Sequence, residues 1–182
     1  MKKTLKGLVL VLVLFVGVFS LTGCGKSEEN KKENKKEEIK NAATASYSKE
    51  GKGTVSFQYE DNGKYTVGSG TMNKLLTNEE ENFKIYFDYS PKTTDSQLKD
   101  KEIFSKGTGF EVKDVTFNGY EGYVQIGKKS ASAKVFLFVD KDNDVIVTAN
   151  ISEAKSTDAT DGYELYDNSN VQSILKSIKY EK

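Results

Sequence analysis

Five apolar residues in a row, Val135-Phe136-Leu137-Phe138-Val139, constrain the fold of this chain more than any other stretch. The run ends at "DKDND", whose Asp and Asn residues favour a turn. It has the length of one strand and is too short for a buried helix. Side chains alternate between the two faces of a strand. A strand that is apolar at every position therefore needs cover on both faces, and the run predicts a central strand in a layered structure. The turn leads into a further strand over 145–151.

Neighbouring segments predict more antiparallel strands. Phe83, Ile85, Phe87 and Tyr89 alternate with Lys84, Tyr86 and Asp88, and Pro91 ends the pattern. Val55, Phe57 and Tyr59 alternate in the same way. Asn62-Gly63 then signals a hairpin, with Tyr65 and Val67 opening a return strand that runs on through "GSGTM". A second Asn-Gly, at 118–119, joins strands over 110–117 and 120–126.

Two helices are expected. Residues 95–106 combine an N-terminal cap candidate, good helix formers and a Gly107 stop, with Leu98, Ile103 and Phe104 as the apolar set. Ser169 and Gln172 have capping-box spacing, and Val171, Ile174, Leu175 and Ile178 then form one apolar stripe. A polar loop of about fifteen residues precedes that last helix. The expected class is α+β: an antiparallel sheet of about six to seven strands, a C-terminal helix on one face and a second helix mid-chain.

Composition removes whole classes of chemistry. The chain has no His, no Trp and one Cys, and all 27 basic residues are lysines. Without imidazole or a spare thiol, the ordinary nitrogen and sulfur ligand sets for zinc, copper or iron–sulfur are absent, as are Ser-His-Asp and Cys-His catalysis. No side chain titrates near neutrality unperturbed. Without Arg there is no bidentate fork for phosphate or carboxylate. From Cys24 onward the acids outnumber the lysines by three, so nucleic acid is not an expected partner. Oxygen-only metal sites, carboxylate-pair hydrolysis and Ser–Lys schemes survive this filter. Abundant Lys and Asn with no Arg suit AT-rich coding and a low-GC Gram-positive source.

The first 23 residues read as a targeting segment. Lys2, Lys3 and Lys6 make a positive start, and residues 7–19 are uncharged and apolar. That run is shorter than the about 20 residues a bilayer span needs, and it suits a secretory signal peptide. An uncleaved N-terminal anchor helix is the alternative. Leu21-Thr22-Gly23-Cys24 resembles the lipobox of bacterial lipoproteins. The resemblance implies a diacylglycerol on the Cys24 sulfur and cleavage after Gly23. The protein would then sit on the outer face of the cytoplasmic membrane, held through lipidated Cys24. Two acyl chains hold where one is marginal. A redox thiol is the competing reading of Cys24; a disulfide would need a second Cys, and there is none. Residues 24–50, nearly all Lys, Glu, Asn and small residues, read as a disordered charged tether. Residues 51–182 read as one α+β domain.

"FKIYFDYSP" and "VQSILKSIKY" give residues 83–180 a resemblance to PsbP-like and DcrB-like α/β/α domains. The chain departs from that pattern in reading Tyr89-Ser90-Pro91, in lacking the tryptophan that commonly follows the proline, and in an extra hairpin over 54–72. The resemblance implies a binding or accessory role and carries over no site residue.

The remaining motifs have plain structural readings. Asp140, Asp142 and Asp144 stand at positions 1, 3 and 5 of a calcium loop, but positions 6 and 12 are Val145 and Ile151 in place of Gly and Glu. The plain reading of them is a polar hairpin turn between two strands, with calcium binding the weaker alternative. Tyr86/Tyr89, Tyr120/Tyr123 and Tyr163/Tyr166 recur at i, i+3, a spacing that splits a strand pair between faces. No cofactor is expected. The leading expectation is a non-enzymatic lipoprotein that binds a protein partner at the cell envelope. A carrier of an apolar ligand between sheet and helix is the alternative, and a carboxylate-based cell-wall hydrolase the third.

Overall fold

The computed structural model describes residues 39–156 and 161–182. Its ten strands and three helices confirm the α+β class. The strands form two antiparallel sheets. The larger has the order β3(Tyr65–Val67), β4(Lys74–Asn78), β5(Phe83–Tyr89), β9(Val145–Glu153), β8(Ser132–Asp140), β7(Tyr120–Gly127), β6(Phe110–Phe117). The smaller has the order β1(Ala42–Lys49), β2(Gly53–Glu60), β10(Lys179–Glu181). The helices are α1(Thr94–Ser105), α2(Gly162–Asp167) and α3(Ser169–Lys176).

The apolar run at 135–139 lies in β8, between β9 and β7, where its pattern requires it. Val135 and Leu137 join the main core with Val124, Ile126, Val147 and Ile151. That core is closed by the small sheet, through Tyr47, Val55 and Phe57, and by Val171, Ile174 and Leu175 of α3. Phe57 of β2 stacks on Phe87 of β5 with ring centroids 4.1 Å apart. Phe136 and Phe138 face the other way and form a second cluster with Tyr123 and Ile146. We call these two sides the inner and the outer face of the large sheet.

The hairpin at 118–119 forms as its sequence predicts: Asn118 and Gly119 have φ of 50° and 86°, the pair of positive values a tight hairpin turn needs. The one at 62–63 does not. Gly63 turns the chain with φ of 78°, but β2 and β3 belong to different sheets. β1 and β10 occupy the two edges of β2, so the return segment pairs with β4 and ends at Val67, short of "GSGTM".

Three strands and a helix escape the sequence reading. β4 and β10 are short, and α2 falls in the segment expected to be loop. β1 lies within residues 24–50, so the folded part begins before residue 51. Ala45 and Tyr47 are buried there, and the alternating small residues pair along the whole of β2. The rest of the expected tether up to residue 38, the signal segment and Cys24 lie outside the described residues.

Gly53 is fixed by its surroundings. Its φ is 84°, and a Cβ there would stand 2.4 Å from the Glu181 carbonyl oxygen. Only glycine lets β10 close onto β2 at that point. At α3 the cap is Asn168, whose Oδ1 accepts from the N–H groups of Asn170 (2.9 Å) and Val171 (3.1 Å). Gln172 donates to the Tyr166 carbonyl at 2.7 Å, so the expected Ser169–Gln172 box does not form.

Candidate functional site

α1 lies over the outer face, and its packing inverts the sequence expectation. Gln97 is its one buried residue. Leu98, Ile103 and Phe104 are 41%, 67% and 37% exposed. Gln97 is held by polar contacts: its Nε2 donates to the Tyr123 hydroxyl at 2.7 Å, and its Oε1 accepts from Ser90 Oγ at 3.0 Å. Burial pushes the Tyr123 hydroxyl up to about 12, with the Gln97 hydrogen bond opposing the shift.

The start of α1 is fixed by Thr93, whose side chain accepts from Ser96 N–H, and by the 140–144 turn. Asp144 Oδ1 accepts from Thr94 N–H at 2.7 Å. The turn thus has a structural duty. Asp144 sits at φ 53°, a conformation Asp tolerates, and Lys52 Nζ donates to its carbonyl at 3.1 Å. Asp140 accepts from Asn143 and pairs with Lys182 at 3.5 Å; the Asn143 hydrogen bonds hold its carboxyl below its ordinary value. Asp140 and Asp144 thus each tie the turn to its neighbours, and Asp142 lies exposed on it. Among the described residues no group of three or more acids could hold a metal.

Two grooves flank α1. One, of about 360 Å³, is lined by Leu98, Lys101, Asp114, Glu121, Phe138 and Lys141 among others. β6–β7 pairing sets Thr116 opposite Glu121 and Asp114 opposite Tyr123, so the two acids are diagonal neighbours. Each is committed to a lysine: Asp114 to Lys101, and Glu121 to Lys141. The Lys141 hydrogen bond and charge hold the Glu121 carboxyl below its ordinary value. A general acid for glycoside hydrolysis needs the opposite shift.

The second groove, of about 370 Å³, has a different chemistry. Its floor is a cross-strand row in which Gln125 of β7 is paired with Lys134 of β8, and Lys134 with Asn150 of β9. Phe136, Pro91 and Phe104 supply apolar walls. Gln125 is 7% exposed, and its Nε2 has no hydrogen-bond partner. Such a buried orphan donor costs about 1–3 kcal/mol. Lys134 Nζ sits 5.0 Å from the Phe136 ring centroid, and burial, helped by nearby Lys92, lowers its pKa.

The tyrosine pairs divide as strand geometry requires. Tyr89 is buried in the core and Tyr86 is exposed; Tyr123 is buried on the outer face, whereas Tyr120 packs on the inner core. Tyr163 of α2 donates to Glu111, and that bond raises its own pKa. The sequence reading singled out none of Gln97, Gln125 or Lys134. Their only mark in the sequence is a polar side chain on a strand or helix position that the second apolar layer half covers.

The space between the large sheet and α3 is occupied by side chains. Phe57, Phe87, Val171 and Leu175 are fully buried there, and both grooves open on the opposite face. Compared with protein-family models, curated proteins and solved structures, the chain matches none.

Proposed function

We propose that the chain is a lipid-anchored, extracytoplasmic accessory module that engages a protein partner through the outer face of its large sheet. The observation that carries this reading is the exposure of Leu75, Tyr86, Leu98, Ile103, Phe104 and Phe110 on the sheet and helix side away from the main core. Leu75 and Tyr86 are direct cross-strand partners, and Phe104 packs edge-on against Phe110 at 5.8 Å. Large exposed apolar side chains, with Leu98 and Phe104 lining the two grooves, suit a protein contact. The anchor rests on Leu21-Thr22-Gly23-Cys24 and the apolar run before it. Among the described residues no helix is long and apolar enough to cross a membrane; in this reading the acylated cysteine supplies the attachment.

The non-enzymatic reading rests on composition, and the lysine-paired acids of the first groove favour it over a hydrolase. The filled space beneath α3 gives the apolar-ligand carrier no comparable support.

Photo-crosslinking from position 103 in intact cells of the source organism tests the partner. One stoichiometric adduct is expected, lost in Phe104→Asp. An adduct that survives that substitution, or a ladder of unrelated ones, would sink the docking face. Cys24→Ser tests the anchor separately: fatty-acid label should vanish and the protein should leave the membrane fraction. Retained label would refute it.

A further inference from the structure

The second groove carries an inference beyond partner docking, and it stands whether or not the outer face binds a protein. We infer that the Gln125–Lys134–Asn150 row is a binding site for a small organic carboxylate with an aromatic or aliphatic body.

The argument starts from the two donors. Gln125 Nε2 is buried without a partner, and Lys134 is its direct cross-strand neighbour. Among the described residues no acid stands within ion-pair distance of Lys134, and its ammonium rests on the Phe136 ring instead. Two unanswered donors, one cationic, on adjacent strands of one groove call for an anionic acceptor with two oxygens. Two acids share the wall; Asp88 attracts Lys134 from beyond ion-pair distance, and neither acid hydrogen-bonds to it. Asp100 is paired with Lys92, and Asp88 accepts from the Tyr89 N–H at 2.7 Å and from the Tyr86 hydroxyl. Asn150 spends its Nδ2 on a long contact, 3.5 Å, to the Tyr86 carbonyl.

The apolar requirement comes from the walls. Phe136, Phe104 and Pro91 line the groove, and its volume of about 370 Å³ lies in the range of small-molecule sites. Gln125 Nε2 is shielded from water. The last torsion of a carboxamide is soft, so a ligand oxygen can draw the N–H outward. Phe104, partly exposed at the end of α1 and braced edge-on by Phe110, offers its ring to the ligand body. A bare phosphate would satisfy the donors and leave the rings unused; a neutral apolar molecule would do the reverse.

The test uses the folded protein labelled with ¹⁵N and three probes: phenylacetate, 2-phenylethanol and inorganic phosphate. Phenylacetate should shift the Gln125 side-chain amide signals saturably, and the other two should bind about tenfold or more weakly, the factor lost with one charge-assisted hydrogen bond. Lys134→Met and Gln125→Leu should each weaken phenylacetate by about the same factor. Gln125→Leu should also raise the thermal midpoint, because it removes an orphan donor, whereas a merely structural glutamine would lower it. No saturable shift with phenylacetate up to about 10 mM overturns the site. Equal binding of the alcohol or of phosphate overturns the carboxylate assignment.

Discussion

The inner face of the large sheet is packed with rings and aliphatic side chains; the outer face carries a smaller ring cluster, and α1 is seated on it through amide and hydroxyl groups. Phe57 on Phe87 and Leu175 beneath them are fully buried with no polar partner to satisfy. Under α1 the buried residue is Gln97, tied to Ser90 and Tyr123, while the helix's own Leu, Ile and Phe look outward. Apolar burial is non-directional and roughly proportional to area, so the inner layer supplies stability. Hydrogen bonds between buried groups add little net stability but fix direction, so the outer layer positions a helix. One sheet thus separates what holds the fold from what can serve a partner or ligand.

The largest expected effect tests the inner side. Phe57→Ala should cost about 3–5 kcal/mol in urea unfolding, against a domain stability of comparable size. A loss under about 1 kcal/mol would mean the two sheets are not one core. Next comes an alkaline test that reads both faces. Tyr89 and Tyr123 are each pushed up to about 12, chiefly by burial, from an unfolded value near 10. The folded state therefore holds protons that the unfolded chain has released. Stability should be level below about pH 10 and fall as pH rises through 12. Tyr123→Phe should flatten that fall in part; an unchanged slope would show that the outer hydroxyl is not buried.

Smaller effects belong to the outer side. Asp144→Ala should cost about 1 kcal/mol by freeing the Thr94 N–H, with Asp144→Asn keeping most of it. Hydrogen exchange should show the loss confined to the first turn of α1. Exchange rising equally in β5 and β9 would refute α1 as a separately held element. Ile103→Ala, the smallest, should change stability by no more than about 0.5 kcal/mol. A cost above 1 kcal/mol would mean that Ile103 is covered in solution.

The sequence announced strands where both of their periodicities were strong. β5 and β8 were legible because large apolar residues mark every inward position, and the double-faced run in β8 announced that a second layer exists. β1 was not, because Ala45 is its small inward residue and Tyr47 its only large one; a lysine-rich tract upstream made it look like more tether. Asn62-Gly63 shows a sharper limit. Turn chemistry dictates a local φ but not which strand the chain meets afterward, and the edges of β2 are taken by its hairpin neighbour β1 and by the distant β10. The site was less legible still. Leu98, Ile103 and Phe104 looked like the buried set of α1, and nothing local shows that Gln97 finds Tyr123 or that α1 shields Gln125. Those facts arise only when β7 and α1 come together.

The edge position of β10 has a kinetic consequence. Tyr180 pairs with Val55, so the small sheet cannot be completed until residues 179–181 have been made. The hairpins from β6 through β9 join neighbours in sequence and close at small entropic cost. The four-stranded meander therefore forms early, whereas β2 keeps an open edge until the last strand arrives. During synthesis, that waiting edge is where a second chain could pair in place of β10.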